Sequence, residues 1–165
     1  MNDLRTFLHG LPAFERFPDK QLDVLLNNLR LEDYQANRQL VTQGSQGPAL
    51  YIIVSGTVEL TRRNGAGESE QDVREARDGE VVGLLSLVDN MPSPETCTAK
   101  GHVTAAVLTP ERFNTLFLLA PSIAHQLQYM TAVQLARDLQ EKNKSLRKGL
   151  AKQKPGSLLE RLFGK

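Results

Sequence analysis

The chain has 165 residues and a formal charge of +1, with 40% hydrophobic, 24% charged and 5% aromatic residues and no Trp. That is the balance of one globular domain with an aliphatic core and a short appendage, and it excludes disorder throughout. A single cysteine, Cys97, excludes an internal disulfide and cannot by itself supply a structural zinc site. The start, MNDLRTFLHG, has no basic n-region or long apolar run, and no stretch reaches about eighteen uninterrupted apolar residues, so the expected location is the cytoplasm.

Within residues 1–35, Leu4, Phe7 and Leu8, then Leu22, Leu25, Leu26 and Leu29, recur at three- and four-residue spacing. This predicts helix, divided into short pieces by Pro12 and Pro18. From 36 to 109 the period shortens. β-Branched and aromatic residues dominate ALYIIVSGTVEL, which alternates apolar with polar beyond Gly56, and glycines at 44, 47, 56, 65, 67, 79, 83 and 101 punctuate the segment. Short strands parted by glycine turns, with helices only before and after, predict a mostly β protein with flanking helices. Its centre is an antiparallel, jelly-roll-like β-roll, because a parallel sheet would need helices between its strands. RRNGAGESEQ reads as an exposed hairpin tip.

Helical signals return in segment 110–152. ERFNTLFLLA predicts one helix, Pro121 restarts the chain, and residues 122–148 hold neither Gly nor Pro, enough for a helix about 40 Å long. Ile123, Leu127, Met130, Leu135 and Leu139 form an apolar seam, continued by Leu146 and Leu150. Its near half is expected to pack on the roll and its projecting half to join two copies into a homodimer. Charge is uneven, with eight Lys/Arg against one Glu from Lys142 to Lys165. Segment 153–165 is a basic amphipathic tail: after the Pro155-Gly156 breaker, Leu158, Leu159, Leu162 and Phe163 fall at helical spacing. It suits a groove on a partner protein. Membrane contact is the weaker alternative, since so few apolar residues bind lipid weakly.

No catalytic residue is assigned, because His9, His102 and His125 carry no nucleophile or orienting group in a motif around them. No cofactor and no metal ion is expected. NGAG lacks the following Lys-Ser or Lys-Thr of a phosphate loop, and Cys97 in TCTAK reads as a small half-buried hydrophobe.

The order helix, glycine-marked roll, helix, long helix, together with TQGSQGPALYIIVSGTVEL, GEVVGLLSLVDN and TAKGHVTAAVLTPERFNTLF, resembles the cyclic nucleotide-binding domain of the cyclic-AMP receptor protein family. The likeness spans about residues 5–150 and rests on Gly44, the pattern LYIIxxGxV ending at Val58, Gly79-Glu80-x-x-Gly83, and Phe113. It implies a phosphate-binding cassette in which a Glu holds ribose and an Arg neutralises the cyclic phosphate. At the matching positions Gly83 is followed by Leu84 and Leu85. The arginine-bearing stretch falls on Ser93-Pro94-Glu95 or, one residue on, Pro94-Glu95-Thr96. Neither register supplies the arginine, Pro94 removes a backbone N–H, and Glu95 sets a negative charge beside an anion. The purine-reading positions match Asp138 and Leu139. These nine residues are expected to mark a degenerate ligand pocket. Family members that bind DNA continue into a winged helix-turn-helix module, for which the residues after Leu150 leave no room, so sequence-specific DNA binding is not expected.

The reading is therefore a non-enzymatic regulatory or scaffolding protein that keeps the fold, has lost cyclic-AMP binding and acts on a protein partner that the sequence does not identify. Two alternatives stay open: a sensor of a cyclic nucleotide or other small molecule in an atypical pocket, and a nucleic-acid accessory protein using the basic tail.

Overall fold

The computed structural model describes residues 2–46, 49–63, 71–84 and 91–152. Helices α1 (Asn2–His9) and α2 (Asp19–Asn28) precede eight strands, β1 (Arg30–Tyr34), β2 (Gln39–Val41), β3 (Leu50–Ser55), β4 (Val58–Arg63), β5 (Gln71–Ala76), β6 (Val81–Val82), β7 (Thr96–Ala99) and β8 (Val103–Leu108). Helices α3 (Pro110–Leu119) and α4 (Pro121–Lys152) follow. The chain divides into two compact units, Met1–Thr131 and Ala132–Lys165.

In the first unit the strands pair antiparallel into two four-stranded sheets, ordered β1-β8-β3-β6 and β2-β7-β4-β5. This is the β-roll with flanking helices that the glycine-punctuated strands predict. The first sheet is covered on both faces, which explains why LYIIV of β3 and, after Thr104, AAVL of β8 are apolar at consecutive positions. Tyr51, Ile53, Ala105 and Val107 meet Leu40, Leu60, Val82 and Cys97 in a cluster between the sheets. The alternate residues Leu50, Ile52, Ala106 and Leu108 pack with Leu8, Phe14, Leu25, Phe113, Leu116 and Ile123 under the helices. Two cores therefore flank one sheet where length alone suggested a single core. On β4 the period of two is plain: Val58 and Leu60 are buried while Glu59 and Thr61 are not.

Three local features differ from or refine the sequence reading. The N-terminal helical segment, expected to reach residue 35, ends at Asn28. Leu29 caps α2 with extended backbone, and Arg30–Tyr34 becomes an edge strand paired with β8 from Arg30↔Val107 to Tyr34↔Val103. Leu29 continues the helical spacing, while every residue of β1 but Tyr34 is exposed, so the strand carries no apolar alternation to announce it. Of the expected hairpin tip RRNGAGESEQ, residues 64–70 lie outside the described residues, while Arg62, Arg63 and Gln71 belong to β4 and β5, which pair in register from Val58↔Ala76 to Arg63↔Gln71.

Glycine is required at two corners. Gly56 has φ +101° and a Cβ there would stand 2.5 Å from the His102 carbonyl oxygen; Gly83 has φ +79° and its Cβ would stand 2.4 Å from that of Ala49. After the roll, Thr109 caps α3 by accepting the Arg112 N–H at 3.4 Å, and Pro110 occupies the first turn, where its missing N–H costs nothing. In the second unit α4 runs on to Lys152, and Leu135, Leu139 and Leu146 on it are exposed.

Candidate functional site

Of the residues singled out by the family resemblance, Asp138 and Leu139 lie on α4 and Thr96 opens β7; the others fall in the connection from β6 to β7, both ends of which the structure describes. At the first end a tight turn follows β5. The Arg77 N–H donates to Glu80 Oε2 at 2.7 Å and the Gly56 N–H to Asp78 Oδ1 at 2.9 Å. Gly79 N–H and Ile53 N–H donate to the Ile53 and Glu80 carbonyls at 2.8 and 2.9 Å, which locks this turn to β3. The positive φ of Gly83 then turns the chain so that Leu84 enters the apolar cluster under the helices, 7% exposed. Leu84 was expected to line the ligand pocket. Its side chain instead joins the helical core, because a hydrocarbon gains more from burial there than from the rim of the roll.

At the second end Ser93 is buried. Its N–H donates to the Ser45 carbonyl at 2.9 Å and its carbonyl accepts from the Gly44 N–H at 2.8 Å. The Ser93 hydroxyl donates to the Glu95 carbonyl at 2.8 Å and accepts the Glu95 N–H at 3.4 Å, closing a turn around Pro94. Thr96 Oγ1 accepts the Gln43 N–H at 2.9 Å.

Two arginines that the sequence reading did not single out meet this turn. Arg62 Nε donates to the Pro94 carbonyl at 3.2 Å, and Arg74 Nη2 donates to Glu95 Oε1 at 2.8 Å. They come from β4 and β5, where Leu60 faces both Arg74 and Cys97 across the sheet. The loop positions Ser93, Pro94, Glu95 and Thr96 carry no arginine of their own, and positive charge meets the turn from the sheet. The signal was present in VELTRR, whose alternation puts Arg62 on the face of Val58 and Leu60. Arg74 needed the register across residues 64–70.

Behind the pair lies Cys97, whose thiol is pushed up to about 12 by burial and by the Glu95 charge, with Arg74 acting the other way. Tyr51 spans the interior, its hydroxyl donating to the Leu40 carbonyl of the opposite sheet at 3.0 Å, and burial raises it above the ordinary phenol range. Tyr34, edge-on to Tyr51 with ring centroids 6.3 Å apart, donates to Glu32 at 2.6 Å and is raised by burial too.

Ser93, Pro94, Glu95 and Thr96 thus share one hydrogen-bonded turn, while Gly83 lies against Ala49 and the Leu84 side chain packs in the helical core. Leu85 and the tail residues Leu158, Leu159, Leu162 and Phe163 lie outside the described residues, and Asp138 is fixed only as a position on α4. Of the seam, Ile123 and Leu127 are buried in the helical core with Met130 packed against it, so these three serve their own domain; Leu135 and Leu139 are exposed in the second unit. His9 contacts Asp19 at 2.8 Å, His102 contacts Asp33 at 3.6 Å and His125 packs edge-on against Phe117. Among the described residues no group of three or more His, Cys, Asp or Glu could hold a metal ion, and no helix is long and apolar enough to cross a membrane.

This architecture has known counterparts. The cyclic nucleotide-binding domain family matches residues 31–118, more than half of the chain, and the chain belongs to that family. The cyclic AMP receptor protein of Thermus thermophilus is 29% identical over 134 residues, 81% of this chain and 60% of that protein. A cAMP-dependent protein kinase regulatory subunit from Mycosarcoma maydis is 30% identical over 102 residues, 62% of this chain and 19% of that one. The solved catabolite activator protein of Thermus thermophilus superposes with a TM-score of 0.69 at 28% identity, covering 82% of this chain and 62% of that one. The chain thus spans less than two thirds of the length of these relatives.

Proposed function

We propose that this chain is a non-enzymatic regulatory module of the cytoplasm that has kept the cyclic nucleotide-binding fold, lost cyclic-AMP recognition, and acts by protein contact, self-associating through α4 beyond Thr131. The observation that carries this reading is Glu95: its carboxylate, paired with Arg74, lies one or two residues after the position, Ser93 or Pro94, at which the family resemblance asks for an arginine. A cyclic phosphate brought to this turn meets negative charge, and Leu84 offers its ribose no carboxylate. The exposure of Leu135, Leu139 and Leu146, which share one helix face, supports self-association.

Calorimetric and thermal-shift titration of the full chain with cyclic AMP and cyclic GMP tests this. No saturable response is expected. A ligand at a hundredfold excess over its Kd raises Tm of a domain this size by roughly 5–10 °C, and such a rise overturns the loss of recognition. The same titration carries the second reading, a sensor with an atypical pocket, which is favoured by the names of the relatives, a cyclic AMP receptor and a cAMP-dependent kinase regulatory subunit.

A further inference from the structure

The inner face of the second sheet ends, along β4 and β5, in two guanidinium groups. Arg62 lies two residues beyond Leu60, and Arg74 lies directly opposite Leu60, so both share the face on which Leu60 and Cys97 are buried. Each guanidinium presents five N–H donors in a planar fork and stays charged throughout the physiological range. Two such groups on one face call for an anion.

The chain supplies it. Glu95 Oε1 lies 2.8 Å from Arg74 Nη2, and its side chain is 14% exposed against 49% for Arg74, so the carboxylate sits on the inward side of the pair. It is not delivered by a free side chain. The Ser93 hydroxyl closes the turn that carries it, and Arg62 grips the Pro94 carbonyl one residue earlier. The two arginines thus hold consecutive acceptors of a single short segment.

We propose that Arg74, beside a turn that Arg62 anchors through the Pro94 carbonyl, forms an anion-binding site whose occupant is the chain's own Glu95 carboxylate, and that the site accepts a phosphate-class anion once that carboxylate is removed. This rests on the reading that the wild-type chain takes up no cyclic nucleotide, and it names the group that keeps anions out. An incoming phosphate has to displace a carboxylate already desolvated and tethered, and then bear its charge nearby. Removing the carboxylate reverses both terms, because it leaves the Arg74 guanidinium without its counter-ion.

The test uses the full chain as wild type, Glu95→Gln, and the double variant Glu95→Gln/Arg74→Gln, with inorganic pyrophosphate and cyclic AMP as probes at ionic strength matched by NaCl. Wild type is expected to show no specific stabilisation. Glu95→Gln is expected to gain saturable pyrophosphate binding, with a rise in Tm of roughly 5–10 °C at a hundredfold excess over Kd, and the double variant to lose it. A folded Glu95→Gln protein that gains nothing, or a gain that survives Arg74→Gln, overturns the proposal. If Glu95→Gln does not fold, the inverted pair Glu95→Arg/Arg74→Glu decides: it is expected to fold and to reject pyrophosphate, and binding by it overturns the assignment. Wild-type binding of cyclic AMP overturns the underlying loss of recognition, whereas silence in both wild type and Glu95→Gln overturns only the self-occupied site.

Discussion

Replacing Leu84 with Ala, and separately with Glu, measures how firmly the start of the β6–β7 connection is built into the core. Leu84 is 7% exposed within the apolar cluster beneath the helices. Truncating a buried Leu costs about 2–5 kcal/mol, and a residue with slight exposure falls near 3 kcal/mol. Each kcal/mol lowers Tm of a domain this size by about 2–4 °C, so Leu84→Ala should melt roughly 6–12 °C below wild type. Leu84→Glu restores the acid that the family resemblance asks for, yet sets it among hydrocarbon, which adds about 1–3 kcal/mol of desolvation at neutral pH. Burial raises the folded-state pKa of such a carboxyl above its unfolded value, so the folded state binds more protons and loses stability as pH rises. The Glu variant should therefore recover part of its loss between pH 7 and pH 5, while the Ala variant should not. Circular-dichroism melts at both pH values read this directly. A Glu variant as stable as wild type at pH 7, or one that binds cyclic AMP, refutes the placement of Leu84 in the core.

Gly56→Ala should lower stability by about 1–3 kcal/mol in urea unfolding, from its left-handed backbone and from a Cβ 2.5 Å from the His102 carbonyl oxygen; wild-type stability in that variant contradicts the corner geometry. Cys97, its thiol pushed up to about 12 by burial, should react with a disulfide reagent at pH 8 at least roughly a hundredfold more slowly in the folded chain than in denaturant, and rapid stoichiometric labelling of the native protein contradicts its burial. Leu135→Asp places a charge on the exposed stripe of α4 and should leave the fold intact while shifting sedimenting dimers to monomers; a persistent dimer excludes this stripe as the contact.

How legible these features were depends on whether the physics acting on a residue is local. The glycine corners, Pro110 and the Pro121 restart act through their own backbone, and the roll and the last two helices follow from them. The strand β1 was hidden because an exposed edge strand needs no apolar alternation, and the helical spacing of the preceding leucines ran straight up to it. Leu84 was read as a pocket residue from its position in a motif. The motif fixes where the backbone turns but not which of the two cores flanking the first sheet receives the next side chain. The two arginines were harder still. Arg62 is implied by alternation along β4, but its convergence with Arg74 on Pro94 and Glu95 joins three strand ends that are distant in sequence, and only the register of the hairpin and of β7 brings them together.

The same register bears on how a ligand could act here at all. A ligand that switches a domain does so only by favouring one arrangement of a segment over another, and the size of the shift is its differential affinity for the two. In this chain the β6–β7 connection is already held at both ends by internal groups. At one end it is held by the Gly79 and Glu80 bonds to Ile53 and the burial of Leu84, and at the other by Gly44, Ser45, Arg62 and Arg74. On the proposed reading, a cyclic phosphate reaching the Arg74 guanidinium has to displace Glu95, and Leu84 offers it no polar group in return. The cost is paid whichever way the rest of the segment lies, so it adds no preference between arrangements. A regulatory input to this domain is therefore expected to come through a surface that the two held ends leave accessible, which is why the exposed stripe of α4 is the first place to perturb.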